Sequence, residues 1–154
     1  MEAKKKQKTL TAGRTYYRQF NEEIRALVKD GVTDFIIKEC NGQRYLATAL
    51  DGEFNFDIYS VPGPDGVGNT MDNGRIIIEG LAGDVIGYAM RGGEIFIKGD
   101  VGYRVGIHMK AYLDHQPKIV VGGKAGDFLG EYMAGGIILL LGMFSDKPDA
   151  PITG

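Results

Sequence analysis

Few side chains in this sequence are of types that do chemistry. His108, Asp114 and His115 offer imidazole and carboxylate groups that bind metals. Six residues separate the two histidines, and no third or fourth ligand stands at a usable spacing, so no metal site is expected. Cys40 is the single cysteine. A catalytic thiol needs a base to deprotonate it, and no pattern here supplies one, so Cys40 reads as inert. One cysteine also excludes an internal disulfide framework, a four-cysteine zinc site and a cysteine-bound iron–sulfur cluster. Asp84 and Asp127 could share acid–base work. They occupy equivalent places in the repeat described below, which makes them corner residues first. "VVGGKAGDFLG" resembles a phosphate loop, but such a loop needs glycine five positions before its Gly-Lys pair and Ser or Thr after it. Lys118 and Ala125 stand there instead. "GLAGDVIG" likewise lacks the G-x-G-x-x-G spacing of a dinucleotide site.

The glycines belong to a repeat. Four precede residue 60 and twenty follow it. Gly80, Gly83 and Gly87 recur nineteen residues on as Gly99, Gly102 and Gly106. After a five-residue insertion at 112–116 they return as Gly123, Gly126 and Gly130. Met90, Met109 and Met133 keep the same phase, and a degraded earlier copy covers 56–74. The methionine column reads as core filler. Fixed-period self-similarity takes precedence over any local motif.

Each copy opens on a short apolar run: "RIIIE", "EIFIK", "KIVVG", "IILLL". These runs are rich in β-branched residues and too short for helices. Nineteen residues with several glycine corners make about one coil of a parallel β-helix, with coils stacked ~4.8 Å apart. Stacking places Ile76, Ile95, Ile119 and Ile138 in one inward column, and Ile78, Ile97, Val121 and Leu140 in another. Outward, Arg75, Glu94 and Lys118 alternate in sign, and Glu79 stands beside Lys98. The outward column Ile77, Phe96, Val120, Leu139 is apolar. Soluble monomers rarely expose such a strip, so it is expected to be a docking surface covered by the N-terminal segment or a second chain.

Residues 1–14 are expected to be a basic flexible tail. Residues 15–55 are expected to be a helix, begun by Thr15 and ended at Gly31, plus two short strands around the Asn41-Gly42 turn, capping the β-helix. The β-helix then runs over 56–143, and 144–154 form a C-terminal tail of the same domain. The first eight residues hold four lysines and Glu2, so the remainder carries −5 against −2 for the whole chain, which argues against nucleic-acid binding. No apolar run is long enough to span a membrane and no secretory signal is present, so the expected location is cytoplasmic.

The stretches "GDVIGYAMRGGEIFIKGDVGYRVGIHMKAY" and "GGKAGDFLGEYMAGGIILLLG" resemble the glycine-repeat (GXGXG) domain of glutamate synthase, above all its stand-alone archaeal-type subunit. The C subunit of formylmethanofuran dehydrogenase carries a related repeat. The resemblance covers about residues 15–143 and implies a right-handed parallel β-helix without substrate chemistry, packed against glutaminase and FMN-binding synthase domains. It departs from the family in one segment, "YSVPGPDGVGNTMDNG", which is shorter by about one coil. The resemblance implies a non-catalytic scaffold subunit whose partners are glutaminase-type and FMN-binding synthase-type subunits, with FMN and iron–sulfur centres on those partners and no cofactor in this chain. Two alternatives stand beside it: a scaffold of a formylmethanofuran-dehydrogenase-like redox complex, and a structural β-helix that self-associates into a homo-oligomer through its open end. Arg91, Arg104, His108, Lys110, Glu131 and Tyr132 are the expected interface groups, since they are polar or amphipathic where small residues would suffice for stacking.

Overall fold

A computed structural model describes residues 6–50, 52–60 and 63–154. Its centre is a seven-stranded parallel sheet in sequence order: β1 (Gln7–Thr11), β2 (Asp34–Cys40), β3 (Asn55–Ser60), β4 (Arg75–Ile78), β5 (Glu94–Ile97), β6 (Lys118–Val121) and β7 (Ile137–Leu140). Each strand pairs with the next after one circuit of the chain, the arrangement of a parallel β-helix. The expected columns are the observed register. Ile76 faces Ile95, Ile95 faces Ile119, and Ile119 faces Ile138. From β3 to β6 alternate residues are buried, and Ile58, Ile78, Ile95 and Val121 have no exposed surface. Arg75 meets Glu94 across β4 and β5 at 3.0 Å. With both side chains partly in water, this pair contributes about 0.2–1 kcal/mol.

The remaining walls hold their coils by single hydrogen bonds that alternate in direction. The N–H of Gly66 donates forward to Asp84 O, that of Gly68 backward to Leu46 O, and that of Thr70 forward to Tyr88 O. Val85, Gly87 and Ala89 repeat the pattern, and so do Arg104, Gly106 and His108. All of these residues have φ between 52° and 69°, the left-handed region. The central one points inward. A Cβ on Gly106 would sit 2.6 Å from Ile138 Cδ1, so glycine is required there. Gly87 and Gly130 fill the same place in neighbouring coils. The columns Gly80-Gly99-Gly123 and Gly83-Gly102-Gly126 answer to a second constraint, since a Cβ on any of them would press on the coil beneath. On Gly83 and Gly102 it would strike the Asp65 and Asp84 carboxylates. Those carboxylates accept the N–H of Asp84 and Tyr103 at 2.7 Å. Asp84 is therefore a corner residue, as expected.

The N-terminal half differs from expectation. Residues 7–11, assigned to a flexible tail, form β1 and extend the sheet; residues 1–5 lie outside the described residues. The helix α1 (Tyr17–Lys29) begins at Tyr16 with no side-chain cap, so Thr15 does not start it; Gly31, at φ 89°, follows its end. Asn41-Gly42 does not close a hairpin. β2 pairs parallel with β1 and β3, and 43–50 form a coil wall with left-handed Tyr45, Ala47 and Ala49. The stack thus starts well before residue 56. Helix α1 lays Phe20 and Ile24 on the core and Asn21 against Arg44 O, so it covers the first coil. β3 and β4 pair in unbroken register across the short segment after Ser60.

At the far end, residues 144–154 fold back on the last coils. Ala125 N–H donates to Ile152 O at 3.0 Å, continuing a coil wall. The Lys124 ammonium donates to the carbonyls of Lys147, Pro148 and Ala150. Tyr112 and His115 exchange backbone hydrogen bonds in a tight loop that leaves Leu113 84% exposed.

Candidate functional site

The alternating walls decide which side chains can meet a partner. The two residues flanking each inward glycine point outward, so they form two outward columns. One runs Gly66, Val85, Arg104, Phe128; the other runs Thr70, Ala89, His108, Tyr132. Tyr45 and Ala49 open these columns in the first coil, the next two coils carry the short side chains of Gly66, Thr70, Val85 and Ala89, and the last two place large, charged or aromatic ones there. Left-handed geometry costs an L-residue roughly 1–2 kcal/mol relative to the right-handed helical region. Arg104, His108, Phe128 and Tyr132 all bear it, at φ 56°, 55°, 61° and 55°.

These side chains are ordered against one another. The Arg104 guanidinium lies 5.1 Å over the Phe128 ring and its Nε is 3.8 Å from Glu131 Oε2. The His108 ring stacks on Tyr132 at 5.1 Å and meets Tyr88 edge-on at 5.8 Å. Tyr103, Phe128 and Tyr132 are more than half exposed. The result is a rigid, wet wall of aromatic and charged groups, the composition that dominates binding energy at protein interfaces. Of the six polar residues named from the sequence, Arg104, His108, Glu131 and Tyr132 come together here. Arg91 and Lys110 stand on the next corner column and are exposed. Phe128 and Tyr103 were missed; the signal for Phe128 was its phase two residues before the inward Gly130, whereas Tyr103 stands in the corner phase of Asp84 and Asp127.

The apolar column lies on another wall. Ile77, Phe96 and Val120 are half-buried and Leu139 is 49% exposed, all outward from the sheet. The Arg75 guanidinium covers part of it, 5.7 Å above Phe96. Among the described residues the N-terminal segment does not cover it, because β1 joins the sheet edge and α1 covers the end of the core.

Groups with intrinsic reactivity are placed apart. Among the described residues no cluster of three His, Cys, Asp or Glu side chains is arranged for a metal. His115 faces a polar recess of about 480 Å³ with Arg75, Glu94, Asp114 and Lys118, whose charges largely offset. Cys40 is fully buried, and burial pushes its thiol up to about 12. The native protein is therefore expected to resist alkylation by iodoacetamide at pH 8 and to react once unfolded, measured by mass shift; rapid native labelling would contradict its burial. The unfolded thiol ionises near 9 and the folded one near 12, so the neutral thiol's contribution to stability is complete below pH 9 and is lost as pH rises toward 12.

A glycine-cornered coil with a left-handed residue on each side of an inward glycine defines a β-solenoid repeat protein. The chain belongs to the GXGXG motif family, which matches residues 40–154. It is also 41% identical over 123 residues to an uncharacterised protein of Methanocaldococcus jannaschii, a match covering 66% of this chain and 47% of that protein. The chain thus spans about half the length of that relative. No solved structure matches. No helix among the described residues is long and apolar enough to cross a membrane.

Proposed function

We propose that this chain is a non-catalytic scaffold of a glutamate-synthase-type amidotransferase, holding a glutaminase-type subunit and an FMN-binding synthase-type subunit that together convert glutamine and 2-oxoglutarate to glutamate. The observation that carries the reading is the gathering of Arg104, His108, Phe128, Glu131 and Tyr132 on one rigid wall of a GXGXG repeat. Stacking alone needs no large side chains at left-handed positions, since Gly66, Thr70, Val85 and Ala89 serve there in the two coils after Tyr45 and Ala49. Thr70, Val85 and Ala89 hold the same backbone geometry with short side chains, so it is the size and exposure of the later groups that support a binding role. Iron–sulfur centres belong to the partners in this reading, because one buried cysteine cannot ligate a cluster, and FMN goes with the synthase-type subunit that defines the reading.

Titration of the chain against the purified synthase-type and glutaminase-type subunits tests it. The triple variant Arg104→Ala, His108→Ala, Tyr132→Ala is expected to weaken binding at least about tenfold, since one interface hot spot alone accounts for that much. Its melting temperature should stay close to that of the parent, because all three side chains lie outside the core. Unchanged affinity with a large loss of stability would refute the interface role.

A further inference from the structure

The two ends of the stack are finished differently. Helix α1 covers the N-terminal end, whereas among the described residues nothing pairs beyond β7 at the other edge of the sheet. Ile138 and Leu140 continue the two inward columns, yet both are only partly buried, while their counterparts in β4 to β6 are 0–2% exposed. The outward positions change as well. Where earlier coils carry Arg75, Glu94 and Lys118, β7 has Ile137; where they carry Glu79 and Lys98, the last coil has Leu141. The run Ile137–Leu141 is therefore apolar on both faces, the pattern of a strand covered on both sides. Met143 and Phe144, 71% and 57% exposed, extend the patch.

We propose that this end is a homodimer interface, in which β7 pairs antiparallel with β7 of a second copy of this chain about a twofold axis centred on Leu139. The backbone fits that pairing. Ile137 and Leu141 direct their N–H groups to β6, bonding Pro117 O and Val121 O at 2.9 Å. By alternation, Ile138 and Leu140 direct theirs to the free edge. A twofold at Leu139 sets Ile138 opposite Leu140 of the other copy as a hydrogen-bonded pair. It sets the two Leu139 residues opposite each other as a close, non-hydrogen-bonded pair. All five apolar residues then find apolar partners, and no charged residue of the strand opposes another. Ile137, Leu139 and Leu141, 47%, 49% and 42% exposed in the single chain, would each gain an apolar cross-strand neighbour on the outer face of the joined sheet. Head-to-tail stacking fits less well, since β1 presents Gln7, Lys8 and Thr9 to β7. This inference is independent of the proposed function, because it concerns a different surface and needs no other subunit.

Sedimentation velocity of the full chain alone at about 100 μM should give a dimer. The double variant Leu139→Lys, Leu141→Lys alters only half-exposed positions, and it should sediment as a folded monomer with the parent's circular dichroism. In the second arm, Leu139→Cys should form a covalent dimer on mild oxidation, because close opposed pairs suit a disulfide, while Lys8→Cys should not. A parent chain that is monomeric at that concentration overturns the proposal. So does a dimer that survives both lysines, cross-linking through position 8, or open-ended multimers.

Discussion

Gly102→Ala is expected to destabilise the chain by about 3 kcal/mol and lower its melting temperature by roughly 6–12 °C. The added methyl would strike the Asp84 carboxylate, which is already occupied by the Tyr103 N–H at 2.7 Å, and would stand 3.0 Å from the Gly83 carbonyl carbon. Neither neighbour can retreat without breaking the link between coils. Thermal unfolding by circular dichroism reads the effect. A cycle with Asp84→Ala adds a sharper reading. With the carboxylate gone the methyl has room, so the double variant should cost less than the two single changes together. Full additivity would mean that residues 84 and 102 do not touch.

Ile95→Ala should cost as much or more, about 3–4 kcal/mol, because its side chain is wholly buried between Ile76 and Ile119 and its removal leaves a cavity. The adjacent Ile77→Ala, which points the other way, should cost about 1 kcal/mol, since Ile77 is only half-buried. Denaturant titrations of both variants measure the inside–outside difference directly. Equal losses would show that the sheet's outer face is as enclosed as its core, which contradicts the coil geometry.

The stack itself was readable because each coil repeats the same physical demands. Period-two alternation in "RIII", "EIFI" and "KIVV", combined with a nineteen-residue phase, fixes both which residues face inward and which coil neighbours each meets. Four features escaped. β1 has a single apolar inward residue, Leu10, so a five-residue edge strand looks like a basic tail. Asn41-Gly42 is a good local hairpin signal, but parallel partners on both sides of β2 outweigh it. The outward wall was only partly seen, because left-handed residues advertise themselves as glycine, and here Arg104, His108, Phe128 and Tyr132 adopt that geometry without it. The fold-back of residues 144–154 depends on carbonyls meeting Lys124, which no periodicity records.

The account's central claim, a rigid wall that holds reactive partners, is tested most directly by reconstitution. Glutaminase-type and FMN-binding synthase-type subunits, mixed with and without this chain, would be assayed for glutamate formed from glutamine and 2-oxoglutarate with a reductant. The account predicts a stoichiometric complex whose glutamine-dependent activity requires the chain, and no turnover by the chain alone. Turnover by the isolated chain, or full coupling between the two partners in its absence, would contradict it.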